Sequence, residues 1–390
     1  MKYNFDEIID RKNTMSCKWD LRKDDAILPM WVADMDFKTA QPIIDALTDR
    51  AQHGIYGYSI FTDELYESII GWFKRRHHWN IDKDWLSFSP GIVFALHAFA
   101  KIFVKPGDKI LMHSPVYYPF FGSAKRNGIE FVNNDLIYSN GRYEIDFEDF
   151  EKKARDPSVK MLYLSSPHNP GGRIWTRDEL IHMGDICTRN GVVIVADEIH
   201  CDLILNGNEY TSFGTLPKNI TDNSIICVSP SKTFNIAGLQ ISCIVIKNKE
   251  LKEKYNNYMK STGYYEANVF GLEGITAAYR DGDEWLDNLI EYLNGNLKFL
   301  REYIAENLPK VKVMIPDATY LVWLDFKDLG AEPVYLHRLL KNEGKIWLDE
   351  GYLFGETGEG FERINIACPR ETLRDGLERI KICLTEHNLI

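Results

Sequence analysis

The chain has 390 residues, 45% hydrophobic and 26% charged, enough to bury a large core in two domains. Its formal net charge of −11 argues against nonspecific binding to nucleic acid or to an anionic membrane surface. No apolar run approaches the ~20 residues of a transmembrane helix; the longest, Gly91–Val104, is interrupted by His97 and Lys101.

In chain order, residues 62–77 read as an amphipathic helix and 91–104 as a buried helix opening at Gly91. KILMHS (109–114) is a strand ending at Pro115, followed by a helix from about Tyr117 to Asn127 and a strand at 129–134. Strands are expected at 159–166, 192–198, 225–229 and 241–247, with a helix at 176–189. Short runs rich in Val and Ile, separated by helices, predict an α/β fold: a mainly parallel central sheet with helices on both faces. Past Gly282 the pattern changes to a long helical stretch, a strand at 318–326, a helix at 334–342, RINIA (363–367) and a last helix at 371–386. That order predicts a smaller α+β domain. The first forty residues lack sheet alternation and are expected to pack on that domain or across a dimer interface. The predicted division is therefore an N-terminal segment 1–44, a large domain 45–282 and a small C-terminal domain 283–390.

The N-terminus is charged from Lys2 and has no apolar core, so no signal peptide is expected. The seven cysteines form no C-x-x-C pair, which favours free thiols in a reducing cytoplasm. No metal motif is seen among the ten histidines; His77 and His78 are expected on a solvated helix face.

The chemistry is expected at the carboxyl ends of the strands, where open α/β sheets bind ligands. Lys232 follows a strand in a Ser-Pro-Ser-Lys turn; a lysine with a lowered pKa forms a Schiff base with an aldehyde cofactor, and Ser229 and Ser231 are hydroxyl donors for a phosphate. Alone this tetrapeptide is weak, since serine acyl-enzymes carry a similar one with Ser229's position as nucleophile. Asp197 ends an all-apolar strand, where a carboxylate needs a partner such as a protonated pyridine nitrogen; His200 is within reach of the same ring. Asn169 sits in a Pro/Gly-rich turn after a strand, which is ordinary turn chemistry or a donor to a ring oxygen. Gly91 opens a helix whose N–H groups suit a phosphate. Neither nucleotide-binding glycine motif is present there. Tyr117 is placed to stack on a flat ring. In the C-terminal part, Arg363 and Arg370 are candidates for a bidentate grip on a carboxylate.

In this order the segments resemble fold-type I pyridoxal-phosphate enzymes, the class I/II aminotransferase superfamily, over nearly the whole chain. The phrases PMWVADMDF (29–37), GIYGYS (54–59), PHNPGGRIW (167–175), DEIHCDL (197–203), SPSKTFNIAGLQ (229–240), NVFGLE (268–273) and NIACPR (365–370) are similar to the MalY/PatB group of cystathionine β-lyases, or carbon–sulfur β-lyases. The resemblance implies pyridoxal 5′-phosphate as cofactor, with Lys232 as the Schiff-base lysine, Asp197 at the pyridine nitrogen, Asn169 and His200 near the ring hydroxyl and Tyr117 stacked on the ring. Gly91, Ile92, Val93, Ser229 and Ser231 match the phosphate site. Arg363, Ala33 and Tyr117 match the substrate site. Tyr58, with Tyr56 the weaker alternative, matches a residue given across a homodimer to the neighbouring site. Two positions depart from aspartate aminotransferases: His200 replaces a tyrosine, and Gln240 replaces a phosphate-binding arginine. The implied reaction is α,β-elimination of cystathionine or related S-substituted cysteines to a thiol, pyruvate and ammonia in the cytoplasm. An aminotransferase uses the same residues and stays open as a reading. A non-enzymatic pyridoxal-phosphate-binding regulator is disfavoured, because no basic module is seen ahead of Trp31. No nucleic-acid, membrane or metal partner is expected.

Overall fold

The computed structural model describes residues 3–21 and 24–390. Strands buried on both faces build its centre. In Val159–Ser165, Met161 and Tyr163 enter one apolar cluster while Leu162 and Leu164 enter another; in Val193–Asp197, Val195 and the pair Ile194 and Ala196 divide the same way. Side chains alternate across a strand, so the two clusters are the two covered faces of one sheet. That sheet has seven strands in the order 86–89, 242–245, 224–228, 193–197, 159–165, 109–114, 130–135. Ser242–Val245 runs antiparallel to both its neighbours, and every other pairing in the sheet is parallel. The chain thus has the α/β architecture its apolar runs predict.

Helices Asp63–His77, Ile92–Phe103, Pro119–Arg126 and Arg177–Arg189 lie within two residues of the expected bounds, as does the last helix, Arg370–Glu386. Thr176 and Glu179 form the capping box that starts the fourth of these. Helix Gln41–His53 has no counterpart in the sequence reading, and it buries only Ile43 completely, too thin a stripe to show as periodicity. Leu86–Ser89, a four-residue strand, and helices Lys249–Ser261 and Val269–Asp281 were likewise not anticipated. Asp283–Asn307 leads into a second sheet of four strands, ordered 312–314, 321–325, 361–365, 349–350.

The segment before Gln41 reaches both sheets. Leu28 and Pro29 pair in parallel with Ile346 and Trp347, and Asn365 Nδ2 donates to the carbonyls of Val32 and Asp34. Asn235, just past Lys232, ties the same segment to the large sheet through Met35 and Phe37. Residues 31–36 are therefore strung between the two sheets. Among the described residues, no helix is long and apolar enough to cross a membrane.

Candidate active site

Parallel register brings the chemistry together. Strands 159–165, 193–197 and 224–228 are adjacent, with Ser165 opposite Asp197 and Asp197 opposite Cys227. Their carboxyl ends therefore share one edge, and the turns carrying Asn169, Asp197 and Lys232 leave from it. Strand 86–89 points the same way, so the helix that begins at Ile92 opens onto that edge. There a cavity of about 180 Å³ is lined by Ala33, Gly91, Ile92, Val93, Tyr117, Asn169, Asp197, His200, Ser231 and Lys232.

Burial sets the electrostatics. It pushes the Asp197 carboxyl up to about 7, although the Ile199 backbone N–H and the charge of Lys232 pull it back. Oδ1 of Asp197 accepts from Ile199 N at 3.1 Å. Burial brings the Lys232 ammonium down to about 8, against Asp34 and Asp197 and with Arg363, and Nζ donates to the Ala33 carbonyl at 2.7 Å. His200 is held neutral, down to about 3, by burial and by the positive charges of Lys232 and Arg363; its Nδ1 is buried without a partner among the described residues. Asn169 Oδ1 accepts from Arg363 Nη1 at 2.9 Å, which leaves its amide N–H groups as the end available to the cavity. Gly91 precedes helix Ile92–Phe103 with no side-chain cap, so the first N–H groups of that helix stay available to an anion.

Not every predicted residue arrives at the cavity wall. Ser229 is buried behind it: its hydroxyl donates to the Ile241 carbonyl at 2.8 Å and accepts from Ser231 N, capping the short turn Pro230–Thr233. Tyr58 is fully exposed on the outer surface, and Tyr56 donates to the Ala51 carbonyl. Arg363 reaches the cavity through Asn169 and also binds the Trp31 carbonyl and Asp349. Arg370 binds Asn296 at the start of the last helix, away from the site. Ser165, Ile199 and Gln240 line the cavity without having been singled out as ligands, and Asp349 was missed altogether. Its only sequence signal would have been a charge beside a short apolar run. One expectation is corrected: His77 is not on a solvated helix face. Its Nε2 lies 2.6 Å from Asp202 Oδ1, a residue too distant in sequence for the local pattern to reveal. Cys201 lies close enough to both to complete a possible ion-holding group. However, the Asp202 oxygens are already taken by Trp72, His77 and Thr233.

Comparison with known proteins decides the family. The pattern of aminotransferase class I and II matches residues 29–380. The chain belongs to that family. It is 43% identical to cystathionine beta-lyase PatB of Bacillus subtilis (strain 168) over 98% of this chain and 100% of the relative. Cystalysin from Treponema denticola, solved with pyridoxal 5′-phosphate, superposes with a TM-score of 0.96 at 35% identity, covering 99% of this chain and 100% of that one. A pyridoxal-phosphate-bound C-S lyase from Staphylococcus hominis matches with a TM-score of 0.92 at 35% identity, over 98% of each chain. The family is pyridoxal-phosphate-dependent, and the cavity fits that group. Asp197 is a buried acid short of a cation, His200 Nδ1 a buried atom short of a partner, and the helix at Ile92 an uncapped N-terminus. A ring nitrogen, a ring hydroxyl and a phosphate meet those three needs.

Proposed function

We propose that this chain is a pyridoxal-phosphate-dependent carbon–sulfur β-lyase that cleaves cystathionine or related S-substituted cysteines to a thiol, pyruvate and ammonia. The observation that carries the chemistry is Asp197, a buried carboxylate without a cation partner of its own, in the same cavity as a lysine whose pKa is lowered. The lyase outcome is supported by the end-to-end likeness to a cystathionine β-lyase.

When bound, pyridoxal phosphate supplies an electron sink for negative charge developing at the substrate's Cα. Around it each residue has a task. Arg363 grips the substrate carboxylate, directing the Cα–H bond toward Lys232. The Lys232 amine, its pKa lowered by burial to about 8, takes the α-proton. Asp197 favours a protonated ring nitrogen. Asn169 and His200 would hold the ring hydroxyl. Gly91, Ile92, Val93 and Ser231 would hold the phosphate, with Ser229 fixing the turn that presents Ser231. Tyr117 would pack against the ring, and the Ala33 carbonyl accepts from the Lys232 amine while Ala33 walls the cavity.

We further read residues 45–282 as the cofactor domain, 283–390 as the small domain and 1–44 as a strap on it, in a cytoplasmic enzyme. Ile55, Tyr58, Ile60, Phe94 and Tyr265 are an exposed apolar set, and Val93, next to Phe94 in sequence and also exposed, lines the cavity. A second copy of the chain would cover that set, with Tyr58 reaching the neighbouring phosphate.

The aminotransferase reading uses the same residues. The test is pyruvate release from cystathionine with no keto acid added. Stoichiometric pyruvate and thiol are expected, with none from Lys232→Ala. Turnover that requires a keto acid would overturn the lyase reading.

A further inference from the structure

Arg363 is held from behind by a buried carboxylate. Arg363 and Asp349 are direct cross-strand partners on neighbouring antiparallel strands and are 2% and 1% exposed. Nη2 of Arg363 donates to Asp349 Oδ2 and, at 2.9 Å, to the carbonyl of Trp31. Nη1 donates to Asn169 Oδ1, and the ring of Phe354 packs 4.9 Å from the guanidinium carbon. Three acceptors and a ring thus fix both the plane and the rotation of this side chain. Nε remains buried with no partner among the described residues.

The three acceptors leave the second N–H of Nη1 and the N–H of Nε over. Buried donors are almost always satisfied, and leaving one unmet costs free energy. A charge-assisted arginine–carboxylate contact also depends on the direction in which the guanidinium N–H groups point. An arginine free to rotate would lose that direction and the side-chain entropy of regaining it.

We propose that Asp349 is a positioning residue for substrate binding: it locks the Arg363 guanidinium in the orientation that receives the α-carboxylate of an amino acid. This rests on the reading of Arg363 as the carboxylate grip. Asp349 itself touches no reacting atom. Its effect is confined to ligands that carry a carboxylate.

The test is a titration of the holoenzyme with L-alanine and with ethylamine, followed through the visible absorbance of the bound cofactor. Ethylamine has the same amine and no carboxylate, and neither probe has a β-leaving group. Asp349→Ala is expected to weaken L-alanine binding about 10-fold or more and to leave ethylamine unchanged. Asp349→Asn, which keeps an acceptor oxygen at the same place, is expected to weaken L-alanine by about threefold and again spare ethylamine. Equal weakening of both probes would reduce Asp349 to a general structural role and overturn the proposal. So would unchanged L-alanine binding in a folded variant. Arg363→Ala in the same titration separates the two layers. If it too leaves L-alanine unaffected, the reading of Arg363 fails; if it weakens L-alanine while Asp349→Ala does not, only the present proposal fails.

Discussion

Asp197 and Asp202 lie in one short segment, DEIHCD, and both are buried, but their surroundings act on them in opposite directions. Asp202 sits in a completed shell. Trp72 Nε1 donates to it at 3.0 Å, Thr233 Oγ1 at 2.7 Å, and His77 Nε2 lies at 2.6 Å. Against burial, those bonds and the charge of His77 hold its carboxyl below the usual range. Asp197 has one backbone N–H on it, and burial drives it up to about 7. The same residue type at the same depth is a finished piece of architecture in one place and half of a binding site in the other. The two meet at the lysine turn: the charge of Lys232 acts on Asp197, while the hydroxyl of Thr233, the next residue, is spent on Asp202.

Exchanging each acid for its amide tests that contrast. Asp197→Asn should cut kcat/KM for pyruvate formation by about 10²–10³-fold, the loss typical of one preorganised electrostatic group at a reacting centre. Cofactor affinity, measured by equilibrium dialysis, should fall in parallel, because a neutral amide does not favour a protonated ring nitrogen. A near-wild-type rate in a variant loaded with cofactor would remove Asp197 from the ring nitrogen.

Asp202→Asn should act on the other axis. An amide cannot accept from Trp72, Thr233 and His77 as a carboxylate does, and hydrogen bonds to a buried charge are worth more than neutral ones. Urea denaturation should therefore show a loss of about 2–3 kcal/mol, while kcat stays within about threefold of wild type. A collapse of kcat with stability unchanged would reverse the assignment, and Asp202 would belong with the chemistry.

This pair also shows how far the sequence could be read. Asp197 was legible because its strand is continuously apolar, and a carboxylate at the end of such a strand demands a partner. The sheet was legible for the same reason: runs such as Val192–Ala196 are buried on both faces and carry no polar alternation. Asp202 carries no such signal, because Trp72 and His77 lie on a helix more than a hundred residues earlier. Asp349 was hidden likewise, its partner being set by strand register and not by spacing. Ser229 was read as a phosphate ligand because a hydroxyl beside the lysine has the right chemistry. The fold instead uses that hydroxyl to cap its own turn. Local patterns report what a residue needs, whereas the long-range register determines what it is given.

The smallest expected effect is the one that isolates the missing partner. In the cofactor-free protein the folded-state pKa of Asp197 is raised from the ordinary 3.8 to about 7. Between those values the folded state holds a proton that the unfolded state has lost, so stability falls as pH rises. The favourable contribution is complete below about pH 4 and gone above about pH 7; integrated from pH 5 to pH 7 it amounts to about 2 kcal/mol. Asp202 has the opposite sign: its lowered pKa gives stability that is present above the ordinary carboxylate value and is lost only as pH falls through its folded-state value. The difference in unfolding free energy between wild type and Asp197→Asn should therefore slope downward from about pH 5 to pH 7. Saturating pyridoxal phosphate should flatten that slope, because a protonated ring nitrogen lets Asp197 ionise without cost. A slope that survives in the loaded enzyme would mean that the buried carboxylate never finds its cation there, and the contrast between the two acids would lose its functional meaning.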